Sequence, residues 1–231
     1  MNKLLRLFLV LLPVAIFTVP AMADPLHIAV RSLDLKLFRQ TMQESPAVNA
    51  TDSAGMTPLH HACALGAVEM VTALLAQGAD INLRSNDGRN ALHHTVNIQA
   101  LCFSPQPQAG DVTICPLTVP QLLASAGIDV NATDSAGETA LHIAARNGLV
   151  GVIATLLQCG ADPDCRNQAG ETPLHLCGGS LPHLAAQVLL VGGANPALAR
   201  NDGRLPVDLA ASSSNALLVN MIKRYAAPEN P

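Results

Sequence analysis

Leucine residues return along the chain at a fixed interval and predict a row of similar helices. Leu74, Leu123, Leu156 and Leu189 each belong to a pair of adjacent leucines, and they are 49, 33 and 33 residues apart. In the first of these segments Val68, Val71 and Leu74 follow the spacing of one helical face. A glycine follows each pair within a few residues, where a helix often ends: Gly78, Gly127, Gly160 and Gly193.

A four-residue motif before these helices repeats with the same period, and we call it the phrase. Its second copy is Thr57-Pro58-Leu59-His60. Its prolines or their equivalents stand at positions 25, 58, 91, 140, 173 and 206, so the intervals are 33, 33, 49, 33 and 33 residues. The interval of 49 is one period plus an insertion of 16 residues. A fixed period of this length indicates a solenoid, in which each unit buries its apolar face only against its neighbours.

The second copy of the phrase shows why it begins a helix. The Thr57 hydroxyl can accept a hydrogen bond from an unpaired amide of the first turn. Pro58 follows at the first helical position, where its missing N–H has no cost. Leu59 and Ala62 then fall on one helical face. Each unit is therefore predicted as a helix, a tight turn, a second helix and an extended excursion.

The whole pattern closely resembles the ankyrin repeat. The family signature T-P-L-H-x-A stands complete in residues 57–62, and the resemblance covers nearly everything after residue 24. It implies an all-α solenoid with short β-hairpin connections, made of about six units of which the outer two are caps. It also implies a structural role for the phrase, with each histidine ring bonded to the neighbouring hydroxyl and to hairpin backbone. The residues concerned are Thr57, Pro58, His60, His93, Thr139, His142, Thr172, Pro173 and His175.

The period and the composition divide the chain into three parts. Residues 1–23 are predicted as a secretory signal peptide, 24–225 as the repeat domain and 226–231 as a disordered tail. Within the domain the units are 24–51 (the N-terminal cap), 52–84, 85–133 with the insertion, 134–166, 167–199 and 200–225 (the C-terminal cap).

The first 23 residues have the three parts of an export signal. Lys3 and Arg6 form a basic start, residues 7–19 are mostly apolar, and Ala21-Met22-Ala23 supplies a cleavage pattern of small residues. The apolar run is shorter than the roughly 20 residues that a membrane-spanning helix needs. We therefore expect a mature periplasmic chain that begins at Asp24 and is not inserted in the membrane. It would be secreted if the organism is not a Gram-negative bacterium.

Charge and motifs exclude several function classes. Removal of Lys3 and Arg6 leaves 11 basic against 17 acidic residues, a formal net charge of −6, which argues against nucleic-acid binding. The acidic residues stand mostly at turn positions, and no nucleophile motif or phosphate-binding loop is found. We expect no enzymatic activity and no cofactor.

No metal site is predicted from the histidines. The four that share the phrase position form a ladder along the stack rather than converging on one point. His61 and His94 form a second pair of equivalent positions, for which a shared ion is the alternative to a structural role. Nothing has the ligand spacing of a zinc motif.

The cysteines suggest one disulfide. Cys102 and Cys115 bracket the insertion, and a bridge there would stabilise a loop that the helical stack does not order, by about 3 kcal/mol in the loop-closure model. Cys159 and Cys165 are close in sequence and could form a second pair. Cys63 and Cys177 occupy small-residue helix positions and are expected to be buried free thiols.

Function must then come from the surface, because the fold does not specify it. We expect a monomeric scaffold that binds another protein through its hairpins and inner helices, its concave face. The alternatives are an inhibitor or immunity-type protein that neutralises a periplasmic toxin or hydrolase, and an auxiliary subunit that protects a periplasmic enzyme. The candidate contact residues are Arg84, Asn86, Asp87, Arg89, Glu138, Arg166, Glu171, Arg200 and Arg204. The five arginines stand where the repeat does not require arginine.

Overall fold

The helices of the protein come in pairs, one pair to a unit. The computed structural model describes residues 24–44, 47–96, 117–177, 182–212 and 215–226, and in these it contains no regular strand. The pairs are α1 (Pro25–Arg31) with α2 (Leu35–Gln43), α3 (Pro58–Leu65) with α4 (Val68–Ala76), α5 (Ala91–His94) with α6 (Thr118–Ser125), α7 (Ala140–Asn147) with α8 (Val150–Gln158), a 3₁₀ helix (Pro173–Leu176) with α9 (Pro182–Val191), and α10 (Pro206–Ser212) with α11 (Ala216–Ala226).

The pairs stack into two layers of helices. The first helices of successive units contact one another in the order α1, α3, α5, α7, the 3₁₀ helix and α10. The second helices do the same from α4 through α6, α8 and α9 to α11. Contacts therefore run between neighbouring units, as in a solenoid, and the predicted architecture is confirmed.

Leucines at equivalent positions fill the space between the layers. Leu74, Leu123, Leu156 and Leu189, which carry the sequence period, are all completely buried. Leu59, Leu92, Leu141 and Leu174 of the first helices are at most 2% exposed. Burial of a leucine side chain contributes about 1.5–3 kcal/mol, so these two rows supply much of the stability of the stack.

Three phrase histidines, His93, His142 and His175, join the start of their own helix to the next unit. The backbone N–H of Thr57 donates to Nδ1 of His60 over 2.9 Å, and His142 is bonded in the same way by Thr139 over 3.1 Å. Because Nδ1 accepts, Nε2 carries the hydrogen, and in His142 it donates to the carbonyl of Glu171 in the following unit over 3.0 Å. These are the bonds that the resemblance implies for the phrase, and in His142 they extend across the unit boundary.

Burial keeps these rings neutral. Desolvation lowers the pKa of His60 and of His93 to about 4, and that of His94 to about 3. It also lowers the pKa of His142 and His175. Neutral imidazole is the form that the capping bonds need, because only it can accept at one nitrogen and donate at the other.

Two first helices are shorter than the period predicts. Helix α5 has only four residues, and the hydroxyl of Thr95 at its end donates to the carbonyl of Leu92 over 2.7 Å, which competes with continuation of the helix. The helix of the fifth unit is a single 3₁₀ segment, and the glycines that follow it in sequence at positions 178 and 179 are poor helix formers.

Three predictions concern residues that lie wholly or mostly outside the described ranges. The predicted signal peptide and the pair Cys102 and Cys115 lie outside the described residues. Helix α11 reaches Ala226, one residue into the predicted tail, whose other residues also lie outside the described part. No helix in the described ranges is both long and apolar enough to cross a membrane.

The described cysteines are all free thiols. Cys63 is completely buried, as predicted, and Cys177 is partly buried, with burial raising its pKa to about 12. The suggested pair of Cys159 and Cys165 is not formed. Instead, the Cys165 thiol lies 3.6 Å from a carboxylate oxygen of Asp162, in the turn after α8.

Candidate protein-binding surface

The connections between units end in tight turns, which we call the tips: residues 52–56, 85–89, 134–138, 167–171 and 200–204. Each tip is closed by backbone hydrogen bonds, for example from Ser85 N–H to the Arg89 carbonyl over 2.9 Å. At the third tip the Asp134 carboxylate also accepts from the N–H groups of Ala136 (2.9 Å) and Glu138 (3.0 Å). Short polar side chains thus determine the shape of the turn locally.

Glycine is required where one tip approaches the next. Gly88 and Gly137 have φ angles of +77° and +76°, in the left-handed region. A β-carbon at Gly88 would lie 2.9 Å from the backbone nitrogen of Ser135, and one at Gly137 would lie 2.9 Å from that of Gln168. The periodic glycines therefore allow both the turn and the close packing of neighbouring tips.

Backbone hydrogen bonds join the tips into a continuous row. In each of the last four tips the second residue donates its N–H to a carbonyl of the preceding tip. These bonds are Asn86 to Ala54 (3.0 Å), Ser135 to Asp87 (3.0 Å), Gln168 to Ala136 (3.3 Å) and Asn201 to Ala169 (3.1 Å). The row presents exposed side chains from all five tips on a fixed framework, which reduces the ordering cost of binding a partner.

The candidate arginines also link units to each other. Arg84 donates to the carbonyl of Thr133 in the next unit, over 2.5 Å. The Nε atom of Arg89 lies 3.2 Å from the carboxylate of Asp134, whose side chain is only 4% exposed. These arginines therefore make structural contacts of their own, one with a backbone carbonyl and the other with a buried carboxylate.

The arginines nearer the C-terminus repeat this behaviour. Arg166 donates to the carbonyl of Ala199 over 2.7 Å, and Arg200 pairs with Glu171 of the preceding unit at 2.9 Å. Arg204 differs, since among the described residues it pairs only within its own tip, with Asp202 at 2.8 Å, and its side chain is 56% exposed. Three of the five candidate arginines, Arg89, Arg200 and Arg204, are thus paired with carboxylates of the protein itself.

The remaining candidates are divided between the surface and the interior. Asn86 is exposed and donates its side-chain amide to the Ser53 carbonyl over 3.1 Å. Asp87 is exposed as well; burial raises its pKa, but the Ser85 hydroxyl and Arg89 together lower it below its usual value. Glu138 is 7% exposed and pairs with Arg146, so it adds little to the surface.

Sequence reasoning missed two kinds of contact. The bonds from arginines to backbone carbonyls leave no trace in a periodic pattern, because any residue can provide the carbonyl. A group of potential metal ligands, His27, Asp52 and His61, also assembles at the N-terminal end of the row. It was missed because its members occupy three different positions of the repeat.

A family model described as ankyrin repeats (3 copies) matches residues 26–102 and 114–196. The chain belongs to the ankyrin repeat family. The matched segments include the helix pairs and tips of the inner units, which is where the sequence signature is most complete.

Curated relatives share the repeat but are much longer proteins. The chain is 34% identical over 140 residues to a probable E3 ubiquitin-protein ligase of Oryza sativa subsp. japonica. It is 33% identical over 128 residues to Neurogenic locus notch homolog protein 1 of Xenopus tropicalis, and 32% identical over 159 residues to the nuclear factor NF-kappa-B p105 subunit of Gallus gallus. The aligned parts cover 59%, 48% and 57% of this chain, but only 24%, 5% and 16% of those proteins.

Two solved bacterial structures match nearly the whole length. An ankyrin repeat domain from Acinetobacter baumannii AYE is 25% identical with a TM-score of 0.70, covering 88% of this chain and 98% of that one. A chain in the complex of a predatory endopeptidase from Bdellovibrio bacteriovorus with an immunity protein is also 25% identical, with a TM-score of 0.68, covering 87% and 97%. The ankyrin fold is generally a non-enzymatic scaffold for binding proteins, and this chain has its architecture.

Proposed function

We propose that the protein is a non-enzymatic scaffold that binds another protein in the periplasm through the row of tips and the first helices. The observation that carries the proposal is the continuous row of hydrogen-bonded tips, which holds exposed side chains from five units in fixed positions. The export part rests on the sequence of residues 1–23 alone.

The alanines at the tips offer a way to block this surface without breaking its bonds. Ala136 and Ala169 are exposed and occupy the repeat position at which Asp87 and Asp202 stand in other tips. Charged side chains are therefore tolerated at this position. The double variant Ala136→Arg/Ala169→Arg places two large side chains on the row. It keeps the backbone carbonyls that accept the hydrogen bonds between neighbouring tips.

A matched control lies on the opposite layer. Gln121 of α6 and Gln187 of α9 are exposed and occupy equivalent positions of the outer helices. The test is affinity capture from periplasmic extract with the natural protein, the tip variant and Gln121→Arg/Gln187→Arg, followed by mass spectrometry. We expect one set of proteins to be retained by the natural and control proteins and lost from the tip variant. Retention of that set by the tip variant would contradict the proposal.

Inhibition of a hydrolase is the second candidate. The specific observation in its favour is the match to a chain in a complex of an endopeptidase with an immunity protein. If the captured partner is a hydrolase, its activity is measured with increasing amounts of this protein. Stoichiometric loss of activity, relieved by Ala136→Arg/Ala169→Arg, would favour inhibition over a simple scaffold role. Unchanged activity at saturation would exclude it.

The proposed periplasmic location of the protein is tested separately. Mass spectrometry of the N-terminus of the purified protein should show a chain that begins at Asp24, recovered from the periplasmic fraction. An intact Met1 on protein in the cytosolic fraction would contradict export, and would leave the protein-binding part of the proposal standing.

A further inference from the structure

Three potential metal ligands meet between the first and second units. They are His27 in α1, Asp52 at the start of the first tip and His61 in α3. One ring nitrogen of each histidine and one carboxylate oxygen of Asp52 lie within 4.8 Å of one another. Nε2 of His61 is 2.8 Å from the Asp52 carboxylate, and the two rings meet edge to face with centroids 5.7 Å apart. In the part of the chain that the structure describes, no other three histidine, cysteine or acidic side chains come this close.

His27 differs from the other phrase histidines in its hydrogen bonds. In His60, His142 and His175 the protein engages both ring nitrogens. His27 is 2% exposed, its Nε2 lies 3.0 Å from the Met56 carbonyl, and its Nδ1 has no hydrogen-bond partner among the described residues. In this unit Asp24 stands where the four inner units have threonine or asparagine, and its carboxylate accepts from the Leu26 N–H.

This arrangement leaves a buried lone pair. A carbonyl cannot donate, so Nε2 of His27 carries a hydrogen, and in the neutral ring Nδ1 is the nitrogen with the free lone pair. A buried polar atom without a partner is unusual in a folded protein and calls for a ligand, a water or an ion. A histidine that gives one N–H to a backbone carbonyl also has the tautomer and the ring orientation fixed, as in metal-binding histidines.

The Asp52 carboxylate is also held in position by hydrogen bonds. One of its carboxylate oxygens accepts from the N–H groups of Ala54 and Met56, both over 2.9 Å, and the other faces His61. These bonds hold the carboxylate in place, and its side chain is 26% exposed, so solvent reaches the group from one side.

We propose that His27, Asp52 and His61 bind a divalent transition-metal ion, with Zn²⁺ as the best fit. Two neutral imidazoles and one carboxylate form a ligand set that such ions accept, and water or a ligand from outside fills the remaining position. The hydrogen on Nε2 of His61 moves to Nδ1, so both rings bind as neutral imidazoles. The positive charge of Arg31 acts electrostatically on His61 and would repel a bound cation. Arg31 is exposed, however, and solvent screens this repulsion.

The next junction provides an internal control. One period later the equivalent residues are His60, Ser85 and His94, whose rings also meet, with the centroids of His60 and His94 5.0 Å apart. Ser85 offers a hydroxyl 3.4 Å from His94 in place of a carboxylate, and both nitrogens of His60 are engaged by Thr57 and Leu83. This junction therefore lacks both features on which the proposed site depends, and we expect no ion there.

The experiment is calorimetric titration of ZnCl₂ into the purified protein, which carries no histidine tag and has been treated with a chelator. We expect saturation at one Zn²⁺ per chain and a rise in Tm on binding. Asp52→Ser, which copies the second junction, and His61→Asn should each weaken binding at least tenfold. His183→Asn, a partly exposed histidine in α9, should bind like the natural protein. Circular dichroism checks that each variant keeps its helices.

Cobalt absorption distinguishes these ligands from cysteines. Co²⁺ bound to the proposed site gives ligand-field bands and no thiolate charge-transfer band, and the bands should be absent from Asp52→Ser. A thiolate band would place the ion on cysteine and overturn the proposal. So would the absence of saturable binding by the natural protein, or binding of equal affinity by Asp52→Ser.

Discussion

The two ends of each hairpin connection behave differently. At the foot, where the connection meets the helices, the rings of His60, His93, His142 and His175 are buried, neutral and bonded at both nitrogens. At the tip, side chains such as Asn86 and Asp202 are exposed and polar. The foot joins the units, whereas the tip presents a surface, and the candidate arginines reach from one region to the other. A change at the foot should therefore affect stability, and a change at the tip should affect binding.

Acid should have the largest effect, because it acts on every foot at once. Unfolded histidine binds a proton near pH 6.5, whereas burial lowers the pKa of His93 to about 4 and of His94 to about 3. Below pH 6.5 the unfolded chain binds more protons than the folded one, so the free energy of unfolding falls as the pH drops towards about 4.

Urea unfolding at a series of pH values, with a chelator present, measures this loss. Carboxylates with ordinary or lowered pKa values would begin to destabilise the protein only at lower pH. A free energy of unfolding that stays constant from pH 7 to pH 5 would contradict the neutral, buried state of the foot histidines.

Removal of one foot histidine should have the next largest effect. His142→Ala leaves the Thr139 N–H and the Glu171 carbonyl without their buried partner and opens a cavity, so it should cost about 3 kcal/mol of unfolding free energy. His183→Ala, at a partly exposed position of α9, should cost less than about 0.5 kcal/mol. Equal costs for the two variants would show that the foot has no special role.

Two arginine variants compare an ion pair to a buried carboxylate with an exposed ion pair at the tips. Arg89→Ala removes the partner of Asp134, whose side chain is 4% exposed, and should cost about 1–2 kcal/mol. Arg204→Ala breaks an exposed pair with Asp202 and should cost less than about 0.5 kcal/mol. Chemical denaturation of both variants measures the difference. A larger loss in Arg204→Ala would mean that exposure does not separate the two roles.

The smallest effect on the stack is expected from the insertion. We predict that Cys102 and Cys115 are joined while Cys63 remains a buried thiol, which peptide mapping without reduction would show. Replacing both Cys102 and Cys115 with serine should leave the unfolding of the helical stack nearly unchanged, because repeat units are stabilised mainly by their neighbours. Free alkylation of both cysteines in the native protein would contradict the bridge.

Local features of this chain could be predicted from the sequence, and contacts between units could not. Thr57 and His60 are three residues apart, so their capping bonds follow from one turn of helix. Arg89 and Asp134 are 45 residues apart across the insertion, and their pairing depends on how two tips stack. The cluster of His27 with Asp52 and His61 could be found only by superposing the repeat positions of two units.

The most direct test of the account is hydrogen exchange of the protein with and without its captured partner. If the tips form the binding surface, amides in 86–88, 135–137, 168–170 and 201–203 should exchange more slowly in the complex. The outer helices α6, α8 and α9 should be unaffected. Protection confined to the outer helices or to residues 102–115, with no change at the tips, would contradict the central claim.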